Sequence, residues 1–190
     1  MSTSDFVLAF VGIIIGLGVA DLLTCLHKLL RAGSRVKWHW ATPALAGLMF
    51  LVTLVMWWRS YLWFSDLTSE TIAAFLPRFL AMIIVFLMMA AALPDDVPED
   101  GIDLREFYSS SRVHLWSLMT LTFTSVVLIE LADHWTMGVA GILAMFWPTT
   151  MSLAFAAIAT LTPRMWVHAL AIGWIYSVVI YNNLFIAIGQ

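Results

Sequence analysis

Six long apolar runs decide which solvent this chain can fold in. They are Phe6–Leu26, Ala41–Phe64, Ile72–Leu93, Val113–Ala132, Met137–Thr160 and Met165–Ile188. A bilayer's hydrocarbon core is crossed by a helix of about 20 predominantly apolar residues. The runs are continuous, with no period of two, which favours helices over the strands of a barrel. Of the 190 residues, 62% are hydrophobic and 11% charged, against about 25% charged in a soluble domain. So few charges cannot cover a globule in water. The expected fold is therefore all-α: a polytopic membrane protein forming one domain, a bundle of six transmembrane helices.

The first residues, MSTSD, carry an acid and no base, and apolar character continues through Leu26. A secretory signal has a basic start and a short apolar core, so this segment reads as a retained helix. Lys28, Arg31, Arg35, Lys37, Arg105, Arg112 and Arg164 fall in or beside the first, third and fifth connections, and only Arg59 and Arg78 fall at the other end. The positive-inside rule then puts both termini outside the cytoplasm. Trp38, Trp40, Trp116 and Trp166 lie near the cytoplasmic ends, and Trp57, Trp58, Trp63 and Trp135 near the opposite ends, as an interfacial belt requires. Trp147 and Trp174 lie deep within their spans and are expected to pack against other helices.

The third connection, 94–112, is long and acidic. Pro94, Pro98 and Gly101 predict an irregular start. Asp103–Tyr108 reads as a short interfacial helix capped by Asp103, with Leu104, Phe107 and Tyr108 facing the membrane. Three spans on each side of this loop permit an inverted 3+3 arrangement. MWWRSYLWF and MFWPTTMSL share too little to establish a repeat. Pro77 and Pro148 are candidate kinks.

The run GLGVADLLTCLHKLLRAG, the following WHW, the MWWRSYLW ending the second span, and LPDDVPEDGIDLREFY after the third carry a likeness. In them the chain resembles a group of small bacterial multi-pass membrane proteins, over roughly its first 110 residues. The resemblance implies a bacterial inner-membrane protein. It brings no activity and no site residues.

Ionisable groups inside spans cost about 2.5–3.5 kcal/mol each at the centre, so each needs a partner or water. Asp21, His114 and His168 lie at comparable depth towards the cytoplasmic ends of their spans, with His27 and His39 nearer the surface. A carboxylate beside an imidazole is the makings of a proton site. The plainer reading is a charged hydrogen bond tying helices together. Arg59, Arg78, Glu130, Asp133, His134 and Asn182 share a level at the opposite end, as an outer vestibule or as an ion-pair network closing the helix ends. Glu130 and His134 share a helix face, and with Asp133, Asp66 and Glu70 would make a divalent-metal alternative. Paired histidines raise a haem alternative. Neither spacing demands a cofactor, and none is expected.

Gly12 and Gly16 form a GxxxG suited to close helix packing in the bundle or in a homo-oligomer, and Gly138 and Gly141 lighten the fifth span. Hydroxyls at Thr53, Thr120, Thr122, Thr124, Ser125, Thr149 and Thr150 sit near mid-span, where back-bonding to their own helix is the ordinary reading. No phosphate-binding loop, nucleophile elbow or zinc-protease motif occurs, and no lysine lies within a span, so an enzyme is not expected. The single cysteine, Cys25, excludes an intramolecular disulfide. A net charge of −3 gives no general attraction to nucleic acid. The leading expectation is a channel or carrier for a small ion or solute, with the bilayer as its surroundings. The alternative is an accessory subunit bound to another membrane protein, and a haem- or metal-bearing redox protein stands third.

Overall fold

A computed structural model describes residues 3–64 and 72–183. The described chain forms helices α1 (Thr3–Ala32), α2 (Ala41–Phe64), α3 (Ile72–Ala90), α4 (Leu104–Asp133), α5 (Gly138–Met145), α6 (Trp147–Leu161) and α7 (Met165–Asn183), and two short strands, β1 (Val36–Lys37) and β2 (Ile102–Asp103). The all-α class holds.

Two of the six expected spans are not single long helices. Among the described residues, four helices are singly long and apolar enough to cross a membrane: α1, α2, α4 and α7. The fifth run is not one helix, because α5 and α6 meet at a bend of 68°. Pro148 has no N–H and sits in the first turn of α6, where none is needed, so the break falls just before it, at Phe146. The third run ends its helix at Ala90, not Leu93, and its apolar part, Phe75–Ala90, is shorter than the four.

Packing starts from α1. Its buried residues Val11, Ile15, Gly18, Leu22, Cys25 and Leu29 alternate in steps of four and three, the seam of coiled-coil packing. At Gly18 a Cβ would stand 3.3 Å from the Met89 Cβ, so glycine sets the close approach of α1 to α3. Phe10 stacks on Phe79 of α3 at 5.6 Å between centroids. From there neighbours follow as a closed circuit, α1–α3–α4–α6–α7–α2–α1, with α2 also touching α3 and α4. Tyr176 of α7 donates to the Ala44 carbonyl of α2 at 2.9 Å, over the space left by Gly47. Phe6, Ile13, Leu17, Leu128, Leu161 and Tyr181 are each more than half exposed. An outer surface this apolar is compatible with lipid.

One end of the bundle gathers the first, third and fifth connections. β1 pairs in parallel with β2, Val36 opposite Ile102 and Lys37 opposite Asp103. Lys28 Nζ donates to the Asp95 carbonyl at 2.7 Å and pairs with Asp96 at 2.8 Å, and Arg112 donates to the Thr162 carbonyl at 3.2 Å. One ion pair, Lys28–Asp96, and the short β-pairing thus hold the third connection against the first. Asp103 caps α4, accepting from the Arg105 N–H at 2.9 Å. The expected interfacial helix over 103–108 is instead the start of α4. Leu104 and Tyr108 are buried in the bundle, not turned to the membrane, because Thr42 anchors the Leu104 carbonyl at 2.8 Å and the helix continues inward.

Gly101 makes this docking possible. Its φ is +96°, and a Cβ would run into the Arg35 carbonyl. Gly101→Ala is expected to cost about 1–3 kcal/mol locally. Hydrogen exchange at residues 95–103 should accelerate while the helices keep their protection. Unchanged exchange there would show that the loop is not held by this contact.

Candidate functional site

The far end of the bundle carries the densest charge. Glu130 stands one turn from the end of α4, and its side chain is only 6% exposed. It pairs with Arg59 of α2, whose guanidinium also lies 5.8 Å from the centroid of the Trp63 ring. The other carboxylate oxygen is 3.4 Å from His134 Nδ1, one turn along. Asp133, on the neighbouring face, accepts from Arg78 of α3 at 2.7 Å. Five of the six expected vestibule residues are therefore joined, in two groups centred on Glu130 and Asp133. Asn182 is exposed near the end of α7.

Beneath Arg59 lies a small cavity of about 60 Å³ between α2, α4, α6 and α7. Its walls are chiefly Val52, Met56, Phe123, Val126 and Ile175, with polar positions at Arg59, Thr122, Thr149 and Ser152. It has room for a few waters. Most mid-span hydroxyls back-bond as expected: Thr53 to Met49, Thr122 to Leu118 and Thr124 to Thr120, each at 2.8–2.9 Å. Thr149 is different, with no side-chain hydrogen bond among the described residues. It belongs to the first turn of α6, where backbone N–H groups lack helical acceptors. The bend therefore brings the Thr149 hydroxyl, unbonded among the described residues, to the cavity wall. The ring of His134 lies 5.6 Å from that of Phe146 at the bend, so the charged cluster touches the break. Sequence reading missed this, because Pro148 reads as a kink in one helix until the helix before it turns away.

At the basic end the expected proton site is not assembled. His168 is fully buried, but both ring nitrogens are taken by other partners. Nε2 lies 2.8 Å from the Thr162 carbonyl, which can only accept, so Nε2 carries the proton. The neutral ring then accepts at Nδ1 from the Tyr108 hydroxyl, 2.5 Å away. Trp116 Nε1 donates to the same hydroxyl oxygen at 3.0 Å. Trp116 is fully buried, so it serves this network and not the interfacial belt. The hydrogen bonds run Trp116 to Tyr108 to His168 to Thr162, with every member satisfied. With both nitrogens engaged, His168 is not free to ligate haem.

Asp21 is half-buried on α1 and makes no hydrogen bond or ion pair among the described residues, and His114 is exposed on α4. Neither meets His168. Gly12 and Gly16 would meet nothing within 4 Å if given a Cβ, so among the described residues they serve no helix packing. Trp174 packs inward as expected, donating to Ser152 at 3.2 Å, whereas its ring partner Trp147 is 54% exposed. Among the described residues no three His, Cys, Asp or Glu side chains are grouped to hold a metal ion. Asp66 and Glu70 lie outside the described residues. The chain matches no protein-family profile, no curated protein and no solved structure.

Proposed function

We propose that the chain is a bacterial inner-membrane channel or carrier for a small ion or solute, crossing the bilayer six times with both termini outside the cytoplasm. In this reading α5 and α6 together make one broken span and α3 a short one. The observation that carries it is the break itself. An interrupted helix places the first turn of α6 beside a cavity that also holds Arg59 and the Thr149 hydroxyl. Non-helical backbone at membrane depth is tolerated where it lines a cavity, and carriers build their binding sites from such interrupted helices. The Arg59–Glu130–His134 cluster roofs the cavity and serves as the outer gate. Arg78, Asp133 and Asn182 form the surrounding vestibule.

The proton-linked part of the reading rests on Asp21, an acid with no partner among the described residues, seven residues before Lys28 and about 10 Å deeper along α1. His114 accompanies it towards the basic end, while His168 positions Tyr108. Asp21→Asn is expected to keep the fold and abolish proton-coupled flux. Flux that survives in a well-folded variant removes Asp21 from the mechanism.

The test of the main reading is flux into proteoliposomes, followed for protons, sodium, chloride and water. Wild-type protein should accelerate at least one of the four. Thr149→Leu, which fills the cavity, should return that flux to the level of protein-free vesicles without changing thermal unfolding. Wild-type vesicles indistinguishable from empty ones would end the proposal.

The accessory-subunit reading is favoured by one observation: the GxxxG of α1 meets no neighbour among the described residues. It predicts a complex with a second copy or another membrane protein that Gly16→Ile dissociates. Native mass spectrometry showing only monomers before substitution would count against it.

A further inference from the structure

The cleft between α3 and α4 is the roomier hollow of the bundle, about 690 Å³, but its walls are chiefly apolar. The cavity under Arg59 is smaller and has a polarity of its own. Arg59 is the one charged residue in its wall, and no acid lines it among the described residues. Glu130 stands one turn beyond Val126, the wall residue of α4 nearest that end. The Arg59–Glu130 pair is therefore a dipole with its positive end on the cavity side.

The hydrogen-bond inventory of the wall has the same sign. Among the described residues the guanidinium donates to Glu130 from Nη2, which leaves other donors of its five-N–H fork unengaged. Thr149 adds a hydroxyl with no hydrogen bond among the described residues. The other two hydroxyls are committed. Thr122 donates to the Leu118 carbonyl at 2.9 Å, while Ser152 donates to the Pro148 carbonyl at 2.8 Å and accepts from Trp174. What the cavity offers a guest is thus a set of donors beside a positive charge.

We propose that this cavity binds a monatomic anion of the size of chloride, and that this anion is the transported species. The inference rests on the transport reading and narrows it. At about 60 Å³ the cavity holds about two waters of ~30 Å³, or one halide with one water. A sulfate or phosphate brings four oxygens, more than these donors satisfy. A cation would meet a guanidinium and no carboxylate. Away from water a charge acts more strongly on its neighbours, so one guanidinium decides the sign of the guest. Glu130 draws on the same guanidinium from the other side, which keeps the anion's binding weak enough for release, as conduction requires.

The experiment is efflux from proteoliposomes of the full chain loaded with potassium chloride, with valinomycin carrying the balancing potassium. Wild type should release chloride, and bromide when that is loaded instead. Sulfate, gluconate and sodium should leave no faster than from protein-free vesicles. Thr149→Val removes the hydroxyl at nearly constant size and should slow chloride about tenfold, the worth of one charge-assisted hydrogen bond. Thermal unfolding should not change, and Thr149→Ser should restore the rate. Arg59→Gln combined with Glu130→Gln removes both charges without stranding either, and chloride efflux should be lost. Flux of protons, sodium or water without chloride overturns the anion assignment and leaves the transport reading standing. Chloride efflux undiminished in Thr149→Val, or persisting in the double variant, overturns it equally. Absence of every flux ends the transport reading and this inference together.

Discussion

Glu130→Ala is expected to destabilise the protein by about 3 kcal/mol, because it strands a cation at the end of the bundle. The loss is not the worth of one ion pair. Glu130 is nearly buried and holds Arg59 with one oxygen, while the other faces His134. Removing it leaves the guanidinium beside an apolar cavity, with the Trp63 ring its remaining partner among the described residues. Arg59 keeps 28% side-chain exposure, so water relieves part of the penalty, and the expected value sits at the low end for broken buried pairs. The paired replacement Arg59→Met with Glu130→Leu removes both charges and should recover most of the loss. Reversible unfolding in mixed micelles measures both. A loss under about 0.5 kcal/mol for Glu130→Ala would mean that the pair behaves as an ordinary surface salt bridge. Flux separates stability from function: the double variant should be stable and inactive, since the gate has lost its charge.

Tyr108→Phe should cost about as much at the other end, about 3 kcal/mol, although it deletes a single oxygen. That oxygen is the middle of the chain from Trp116 to His168. Without it the buried Trp116 N–H loses its acceptor and His168 Nδ1 loses its donor, and each orphaned buried group costs about 1–3 kcal/mol. His168→Ala should be at least as damaging, since it adds a cavity and frees the Tyr108 hydroxyl and the Thr162 carbonyl from their partner. These outcomes distinguish a structural histidine from a proton carrier. A relay would lose flux in His168→Gln with unfolding unchanged. The satisfied, neutral network predicts the reverse, with stability falling and flux falling only as folded protein is lost.

Particular residues show what could be read in advance. The charge partition was legible: the seven bases expected together lie in or beside connections that β-pairing, Lys28–Asp96 and Arg112–Thr162 hold at one end. Glu130 and His134 were legible as neighbours because a helix repeats every 3.6 residues, and Asp103 as a cap because its chemistry is local. His168 was legible as a buried polar residue in need of partners, but not which partners. Tyr108 lies 60 positions away in a segment expected to lie at the membrane surface. No local rule could find it, since the hydrogen bond exists only once α4 and α7 are packed. The misreading of 103–108 has the same root. An amphipathic start to α4 looks the same in sequence whether its apolar face meets lipid or another helix.

What the sequence determined by itself is the helical class and an apolar surface compatible with lipid. Apolar runs of bilayer length with few charges leave lipid as the compatible surroundings, and within lipid every backbone polar group must be satisfied inside its own helix. What only the tertiary structure decided is where those helices stop and which polar groups they share. The break at Phe146, the cavity under Arg59 and the cleft between α3 and α4 all depend on helix–helix distances and angles. In lipid the hydrophobic effect does not distinguish one apolar face from another. Close packing and a few hydrogen bonds choose the arrangement, and those contacts join residues far apart in the chain.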